Sequence, residues 1–237
     1  MCPAEAMLDF KQFQVLTFDC YGTLIDWESG IFYALRPILS AHRKDIEDAA
    51  VLELFGELEA AAEQGEYQNY KSVLQSVVRG FGERLGFTPT SEEIQSLPAS
   101  LPNWRPFPDT VPALRALHSR FRLAVISNTD DDLFAASARH LQVPFDFVIT
   151  AEQARCYKPD LKIFRMALER IAFAHDRVLH VGQSIYHDVV PAKSLAVATV
   201  WVNRPSPRRG SGATKPAVGT PDLQVSSLKE LADLVDA

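Results

Sequence analysis

The stretch that decides the fold runs from Phe13 to Glu28 and reads FQVLTFDCYGTLIDWE. Its first part, residues 15–18, is a short apolar run with β-forming side chains, which is typical of a strand buried on both faces. The run ends at Asp19, and Gly22 then allows the backbone to turn sharply, which can direct consecutive N–H groups at an anion. Because an unpaired buried charge is costly, Asp19 is either a structural partner or a chemical tool.

The composition is that of a globular protein with an ordinary hydrophobic core. Of the 237 residues, 47% are hydrophobic and 23% are charged, which suits one large domain or two small ones. The net charge of −6 argues against non-specific binding of nucleic acid, because such binding needs a basic surface. A small anionic substrate is compatible with this charge, since a local site can oppose the overall sign.

The cysteines and the apolar runs bear on the compartment of the protein. The three cysteines, at positions 2, 20 and 156, are odd in number and far apart, which indicates neither a disulfide framework nor a zinc site. We interpret Cys20 as a small buried residue, with a catalytic thiol as the alternative. No apolar run approaches the ~18 residues of a membrane span, and the N-terminal MCPAEAMLDFKQ lacks the layout of a signal peptide. We therefore expect a soluble, cytoplasmic protein.

Residues 28–103 differ in composition from the rest of the chain. Ala, Leu and Glu are frequent, and apolar residues recur at helical spacing over 52–62 and 70–77. The segment from Leu97 to Pro108 is rich in proline, and we interpret it as a linker. We therefore predict an inserted all-helical subdomain at 28–103 and a main domain formed by residues 1–27 and 104–237.

From Asp109 onward, short apolar strands alternate with helical segments. We predict strands at 123–126, 147–149, 178–181, 197–202 and 223–225, and helices at 111–119, 131–140, 161–171, near 188–195 and from 227. This alternation predicts an α/β fold, a Rossmann-like parallel sheet with helices on both faces. In such sheets ligands bind beyond the carboxyl ends of the strands. Asp19, Ser127, Lys158 and Asp188 all fall at or just past such ends.

The stretch from Arg204 to Pro221 contains GSGATK and so invites comparison with a phosphate-binding loop. The comparison fails, because that motif needs Gly-Lys-Ser/Thr at the start of a helix and here Lys215 is followed by Pro216. We interpret the stretch as a mobile surface loop rich in Pro and Gly.

Three further polar clusters follow predicted strands. Ser127 and Asn128 could hold an oxyanion or a carboxylate, or could simply cap a helix. Lys158 could lower the pKa of a neighbouring carboxylate, or could be a solvated lysine. The segment 182–188, GQSIYHD, follows a strong strand and ends in a second acidic residue, Asp188.

Together and in this order, the four clusters resemble the four motifs of the haloacid dehalogenase superfamily of hydrolases, from DCYGTL at Asp19 to about Arg204. The helical insertion resembles the cap domain of that family. The resemblance implies that Asp19 is a nucleophile that forms a covalent aspartyl intermediate. It also implies that Ser127 and Lys158 hold the substrate and that Asp188 is the last acidic position of the site.

The details of the motifs are similar to the (S)-2-haloacid dehalogenase, or type II, branch. Phosphatases of the superfamily carry a second Asp as general acid where this chain has Tyr21, and tyrosine with its pKa of about 10 is a poor acid at neutral pH. Gln183 replaces an Asp of the phosphatase motif, which removes one hard oxygen ligand for Mg²⁺. Halide leaves without a proton, and its displacement needs no metal. The resemblance therefore implies a cofactor-independent dehalogenase.

The resemblance is incomplete in the substrate pocket. The dehalogenases carry an Arg on the first cap helices, and the stretch 53–74, ELFGELEAAAEQGEYQNYKSVL, contains none. Lys71, Gln64 and Gln68 are candidate substitutes, although Lys cannot make the bidentate contact of Arg. Phe164 stands where the dehalogenases have a tyrosine. The pocket is therefore expected to be rebuilt around the same catalytic residues.

These observations lead to one leading hypothesis and two alternatives. The expected catalytic residues are Asp19, Lys158 and Asp188, and the expected substrate-binding residues are Tyr21, Ser127, Asn128, Gln183 and Ser184, with no metal. His187 either tunes the activation of water or is structural. The expected partner is a small anionic substrate, without nucleic acid or membrane, and a homodimer is compatible with the family. The alternatives are a Mg²⁺-dependent small-molecule phosphatase with Asp19 and Asp188 at the metal, and a binding protein without activity.

Overall fold

The computed structural model describes residues 8–205 and 212–236. Six parallel strands form one sheet in the order β3-β2-β1-β4-β5-β6. The strands are β1 (Val15–Phe18), β2 (Arg122–Ser127), β3 (Phe147–Thr150), β4 (Val178–Gly182), β5 (Ala198–Val202) and β6 (Leu223–Val225). Among the described residues, no helix combines the length and the apolar character that crossing a membrane requires.

Among the described residues, six α-helices separate β1 from β2, and the first five of them form the helical insertion. Those five are α1 (Trp27–Ala41), α2 (Asp48–Ala62), α3 (Tyr70–Leu85), α4 (Ser91–Ile94) and α5 (Ser96–Ser100). The others are α6 (Thr110–His118), α7 (Asp131–Leu141), α8 (Ala151–Ala154), α9 (Leu161–Ile171), α10 (Val190–Ser194) and α11 (Leu228–Asp236). The predicted α/β architecture, a Rossmann-like parallel sheet with a helical insertion, is confirmed.

The sheet is buried on both faces, which explains the apolar runs in its strands. Successive residues of β2 alternate between two hydrophobic clusters, with Leu123 and Val125 in one and Ala124 and Ile126 in the other. Side chains on a strand point alternately to opposite faces, so each cluster lies on one side of the sheet. Helices that cover both faces supply the rest of each cluster, as expected for parallel sheets.

The central position of β1 brings the predicted site residues to one edge of the sheet. Phe18 pairs with Val125 on one side and with Val181 on the other, and the three strands run in the same direction. The backbone N–H of Asp19 still donates to the carbonyl of Val181, at 3.0 Å. Because the carboxyl ends of β1, β2 and β4 therefore lie side by side, the residues that follow them meet.

The helices of the insertion run from Trp27 at the start of α1 to Ser100 at the end of α5. Asp26 caps α1 by accepting a hydrogen bond from the N–H of Ser29, and Gly86, with φ of 70°, ends α3. The linker predicted from Leu97 is wrong for its first part, because helix α5 and a 3₁₀ turn at Leu101–Asn103 occupy it. Buried apolar side chains there favour helical turns that pack inward.

The division of the chain into a main domain and a cap stays a prediction. Buried residues of the insertion and of the sheet belong to one continuous hydrophobic cluster, which includes Phe18 on β1 and Phe55 on α2. The carboxylate of Asp130, between β2 and α7, also accepts hydrogen bonds from the backbone N–H groups of Tyr70 at 2.7 Å and Lys71 at 3.0 Å. A residue of the sheet region therefore caps the start of α3 in the insertion.

The surface loop predicted at 204–221 falls partly on residues 206–211, which lie outside the described residues. Of the described part, Ala213 and Thr214 are buried, with 3% and 9% exposure. Gly56 on α2 makes this contact possible, because a Cβ there would lie 2.5 Å from the carbonyl oxygen of Ala213. The surface-loop prediction is therefore wrong for Ala213 and Thr214, which pack against the insertion.

Candidate active site

Lys158 joins two carboxylates that come from different strand ends. Its Nζ lies 2.8 Å from Oδ1 of Asp19, which follows β1, and 2.7 Å from Oδ1 of Asp188, which follows β4. Nζ also donates to the carbonyl of Ile126 on β2, at 3.0 Å. Lys158 is only 1% exposed. The three protons of this buried ammonium group therefore each have an acceptor.

The two carboxylates that share Lys158 differ in the direction of their pKa shift. Burial raises the pKa of Asp19 above its ordinary value, although Lys158 opposes this shift. Burial also acts on Asp188, but Lys158 and the hydrogen bond from His180 outweigh it and hold the pKa of Asp188 below its ordinary range. Asp188 is therefore ionised throughout the neutral range, and Asp19 is the carboxylate that takes up a proton first on acidification.

A second donor holds the other oxygen of Asp19. The Thr23 hydroxyl donates to Oδ2 of Asp19 at 2.7 Å and accepts a hydrogen bond from the N–H of Gln183 at 2.9 Å. The side-chain carbonyl of Gln183 accepts a hydrogen bond from Thr214, at 3.2 Å. The backbone of Gln183 therefore fixes Asp19 through Thr23. Thr23 lies inside the DCYGTL motif, but sequence reasoning assigned it no role.

Sequence reasoning also missed His180, a histidine inside β4. Its Nε2 lies 3.3 Å from Oδ1 of Asp188 and its Nδ1 lies 2.8 Å from the hydroxyl of Thr17. Since Asp188 is ionised and accepts, Nε2 carries the proton and Thr17 donates to Nδ1. Thr17 and His180 are register partners in neighbouring parallel strands. Polar residues inside two otherwise apolar strands were the available signal.

Three of the predicted substrate-binding residues are already engaged with protein groups. The side chain of Asn128 clamps Lys158, accepting from its backbone N–H at 2.6 Å and donating to its carbonyl at 3.1 Å. The N–H of Ser184 donates to Oδ2 of Asp188 at 3.1 Å. The hydroxyl of Tyr21 is hydrogen-bonded to Ser137 on α7, at 2.9 Å. These contacts position the ionic cluster of Asp19, Lys158 and Asp188.

Burial shifts the pKa of the two side chains that follow Asp19 in the chain. It raises the pKa of the Tyr21 hydroxyl and of the Cys20 thiol well above their ordinary values. Both groups therefore hold their protons at neutral pH, which suits neither a general acid at position 21 nor a reactive thiolate at position 20. His187 lies beside the cavity, and burial lowers its pKa to about 4, so its ring is neutral at pH 7.

Ser127 differs from these residues, because its hydroxyl is fully buried and has no hydrogen-bond partner among the described residues. Buried hydroxyls are nearly always paired, and an unpaired one beside a cavity is a candidate contact for a ligand. Ser127 lines the same cavity as Asp19 and Lys158. It is therefore the predicted substrate-binding residue whose side chain is free to act on a ligand.

The arrangement does not fit the Mg²⁺ ion of the phosphatase alternative. The Oδ1 atoms of Asp19 and Asp188 both face the ammonium group of Lys158. Gln183 offers only a neutral amide oxygen, which Thr214 already contacts. Within residues 8–205 and 212–236, no group of three or more His, Cys, Asp or Glu side chains is arranged to hold a metal. Mg²⁺ needs a near-octahedral shell of oxygens, and this donor set is poor for it.

Helix α2 and the residue that follows it contribute two glutamates to the cavity, and sequence reasoning did not select them. Glu59 and Glu63 line the cavity opposite Asp19, together with Tyr70 and Trp27. Glu59 is 6% exposed, and its Oε1 accepts a hydrogen bond from the Tyr70 hydroxyl at 2.5 Å. Burial raises the pKa of Glu59 to about 7 and that of Glu63 well above its ordinary value. The available signal was an acidic residue on the apolar stripe of α2.

The residues proposed to replace the missing cap arginine are not in this cavity. Gln64 and Gln68 are exposed, and neither lines the cavity that contains Asp19. The ammonium group of Lys71 forms a surface ion pair with Asp132, at 2.5 Å. The insertion therefore adds two carboxyl groups to the cavity that contains Asp19, and none of these three side chains supplies a compensating contact there.

Relatives with similar sequences are dehalogenases and related hydrolases. The (S)-2-haloacid dehalogenase H-109 of Pseudomonas putida is 27% identical over 225 residues, which cover 92% of this chain and 96% of the relative. Haloacetate dehalogenase H-2 of Moraxella sp. (strain B) is 26% identical over 200 residues, covering 82% of this chain and 87% of that protein. The haloacid dehalogenase-like hydrolase domain-containing protein 3 of Mus musculus is 27% identical over 209 residues, covering 81% and 82%.

Solved structures with the same fold include both dehalogenases and a magnesium-bound hydrolase. The L-2-haloacid dehalogenase of Xanthobacter autotrophicus with chloropropionic acid covalently bound superposes with a TM-score of 0.77 at 21% identity, covering 95% of this chain and 99% of that one. The HAD-type hydrolase YfnB of Bacillus subtilis, bound to magnesium, gives 0.78 at 17% identity, with the same coverage. A family model described as haloacid dehalogenase-like hydrolase matches residues 13–195. The chain therefore belongs to the haloacid dehalogenase-like hydrolases.

Proposed function

We propose that the protein is a metal-independent hydrolase of carbon–halogen bonds, similar in its reaction to the 2-haloacid dehalogenases. The observation that carries the proposal is the ammonium group of Lys158, held 2.8 Å from Asp19 and 2.7 Å from Asp188 in a buried site. It supplies a fixed positive charge beside the carboxylate that attacks. A displacement at carbon needs such a charge and a positioned nucleophile, but no proton for the leaving halide.

In the first step, Asp19 attacks the carbon that bears the halogen. The new bond joins a carboxylate oxygen of Asp19 to this carbon, and the carbon–halogen bond breaks with its electron pair leaving on the halide. Lys158 and Thr23 hold the two carboxylate oxygens by hydrogen bonds of 2.8 and 2.7 Å. These contacts restrict the rotation of the side chain, so that the carboxylate is aimed before the substrate binds.

In the second step, water attacks the carboxyl carbon of Asp19 and releases the alcohol. The ester bond between that carbon and the substrate oxygen breaks, the carboxylate is restored, and one proton leaves to solvent for each halide released. Asp188 orients the water by accepting a hydrogen bond. Its pKa lies below the ordinary range, because Lys158 and His180 oppose the effect of burial, so positioning suits it better than proton abstraction.

Halide release by the wild type and by Asp19→Asn, measured with EDTA present, tests the proposal. The panel contains small 2-chloro-, 2-bromo- and 2-fluoro-compounds, both as acids and as amides. We expect the wild type to release halide and Asp19→Asn to release none above the background reaction. A single turnover in ¹⁸O-labelled water should place the isotope in the peptide that contains Asp19. Full activity of Asp19→Asn would overturn the proposal.

Two other outcomes would support the alternatives. Hydrolysis of p-nitrophenyl phosphate that depends on Mg²⁺ and is lost in EDTA, without any release of halide, would indicate a phosphatase. Tight binding of a small 2-hydroxy or 2-halo compound without turnover would indicate a binding protein. Either result would require a different role for the ion pair between Lys158 and Asp19.

A further inference from the structure

The side of the cavity formed by the helical insertion, here called the cap side, carries two carboxyl groups, one on α2 and one on the residue that follows it. Glu59 and Glu63 are four residues apart on α2 and the beginning of the following turn, which places them on the same side of the helix. Both line the cavity that contains Asp19. Within the described part of the chain, Oε1 of Glu59 is bound by Tyr70, and the nearest donor to Glu63 is Asn128 at 3.5 Å, too long for a strong hydrogen bond.

The lysine and arginine side chains in and near the cavity already contact groups other than Glu59 and Glu63. Lys158 is the one Lys or Arg among the described residues that line it, and its protons are directed at Asp19, Asp188 and a carbonyl. Arg155 and Lys215 line the adjoining outer pocket, where each lies over a tyrosine ring. Glu59 therefore faces the interior, whereas Glu63 is half-buried and also lines the outer pocket, and neither forms an ion pair within the described part of the chain.

This arrangement is unfavourable for a carboxylate and favourable for a group that donates hydrogen bonds. Above a pH of about 7, where Glu59 is ionised, a carboxylate ligand would lie opposite a buried charge of the same sign, which repels it strongly. An N–H group would instead find acceptor oxygens on Glu59 and Glu63. The buried hydroxyl of Ser127, which has no described partner, could donate to a carbonyl oxygen of the same ligand. A primary amide offers both functions, and an ammonium group offers the first.

We propose that Glu59 and Glu63 select a substrate whose polar end is an N–H donor, so that the enzyme acts on a small halogenated amide or amine in preference to a halogenated carboxylate. This inference rests on the proposed function for its catalytic step, in which Asp19 displaces the halide as before. It differs from the anionic substrate that the sequence resemblance implies. Glu59 and Glu63 are here specificity-determining residues that contact the unreactive end of the substrate.

Chloroacetamide and chloroacetate provide a matched pair of substrates, because they have nearly the same shape and differ in charge and hydrogen bonding. We expect kcat/KM for chloroacetamide to exceed that for chloroacetate by at least about tenfold, which corresponds to about 1.4 kcal/mol. Asp19→Asn, run in parallel, corrects for alkylation of cysteines by the amide. 2-Bromoethylamine distinguishes recognition of an ammonium group from recognition of an amide.

Three variants of the same helix identify the residues responsible. Glu59→Gln and Glu63→Gln keep the size of the side chain and replace one acceptor oxygen by an N–H₂ group. Each should lower the ratio of amide to acid by about tenfold, mainly through KM. Glu53→Gln makes the same change at an exposed position of α2, and its ratio should equal that of the wild type.

Binding of the unreactive products separates this inference from the proposed reaction. Glycolamide should bind the wild type more tightly than glycolate, as measured by calorimetry or by ligand-observed NMR, and Glu59→Gln should reduce the difference. Halide release from chloroacetate with preferred binding of glycolate would overturn the inference and leave the reaction standing. Preferred binding of glycolamide without any halide release would overturn the reaction and support the inference. Binding of neither product would overturn the inference.

Discussion

The two sides of the cavity differ in whether their carboxyl groups are paired with a cation. On the sheet side, the carboxylates of Asp19 and Asp188 share the ammonium group of Lys158, and all three are held by further hydrogen bonds. On the cap side, Glu59 and Glu63 have no described cation, and burial raises the pKa of both. The charged groups of the sheet side are therefore paired before any ligand arrives. The cap side is left incomplete, and a ligand that supplies N–H donors would complete it.

The largest effect is expected from removing the charge that distinguishes the sheet side. Lys158→Met leaves Asp19 and Asp188 buried together without a cation. We expect the free energy of unfolding to fall by about 3–5 kcal/mol, because an uncompensated buried charge is costly, and activity to be lost. Urea denaturation measures the first effect. Lys162→Met, at an exposed position of α9, is the control, and a loss below about 1 kcal/mol in Lys158→Met would contradict the shared role of the lysine.

A smaller effect is expected from the hydrogen-bonded chain behind Asp188. His180→Phe keeps an aromatic ring at this position but removes the N–H donor to Asp188. We expect the free energy of unfolding to fall by about 1.5–3 kcal/mol, the range for hydrogen bonds to charged groups. Thr17→Val removes only the outer, neutral link, so its loss should be smaller. If the order of the two losses were reversed, His180 would not act through Asp188.

A still smaller effect on stability is expected from the contact of Asp130 with the start of α3, which links the two sides of the cavity. Asp130→Ala removes the carboxylate that accepts from the N–H groups of Tyr70 and Lys71 at the start of α3. We expect a loss of about 1 kcal/mol, as for other N-terminal caps, and a weaker hold on Tyr70, which contacts Glu59. Asp132→Ala, whose side chain is 67% exposed, should change the free energy of unfolding less. Equal losses in the two variants would assign the effect to general surface charge.

The smallest expected effect concerns pH and the cap side alone. Burial raises the pKa of Glu59 to about 7, with Tyr70 opposing and Asp19 reinforcing the shift, so Glu59 is protonated below this pH and charged above it. Glu63 and Lys158 line the same cavity and contribute to its field. As pH rises through about 7, the preference for 2-bromoethylamine over chloroacetate should therefore increase by severalfold. In Glu59→Gln this increase should be smaller. An unchanged pH profile in that variant would assign the titration to another group.

The parts predicted well from the sequence are those that depend on neighbours along the chain. Apolar runs and helical spacing predicted the strands and most helices, because both patterns reflect local geometry and burial. The motifs around Asp19, Lys158 and Asp188 predicted that these residues would meet, and the structure brings them within hydrogen-bond distance. Their catalytic roles stay predictions. The linker from Leu97 was misjudged because proline is compatible with short helical turns that pack inward.

The sequence by itself determined the α/β class, the presence of a helical insertion and the three charged residues that meet. Lys158 lies between α8 and α9, and not at a strand end as predicted. Only the tertiary structure decided which polar residues join the three charged residues. Thr17 reaches His180 through the register of two strands that are distant in the chain, and Asp130 caps a helix that begins 60 residues earlier. Glu59 lines the same cavity as Asp19 because of how α2 packs over the sheet. Such contacts depend on the relative placement of whole elements, which hydrophobic periodicity leaves open since many packings bury the same stripe.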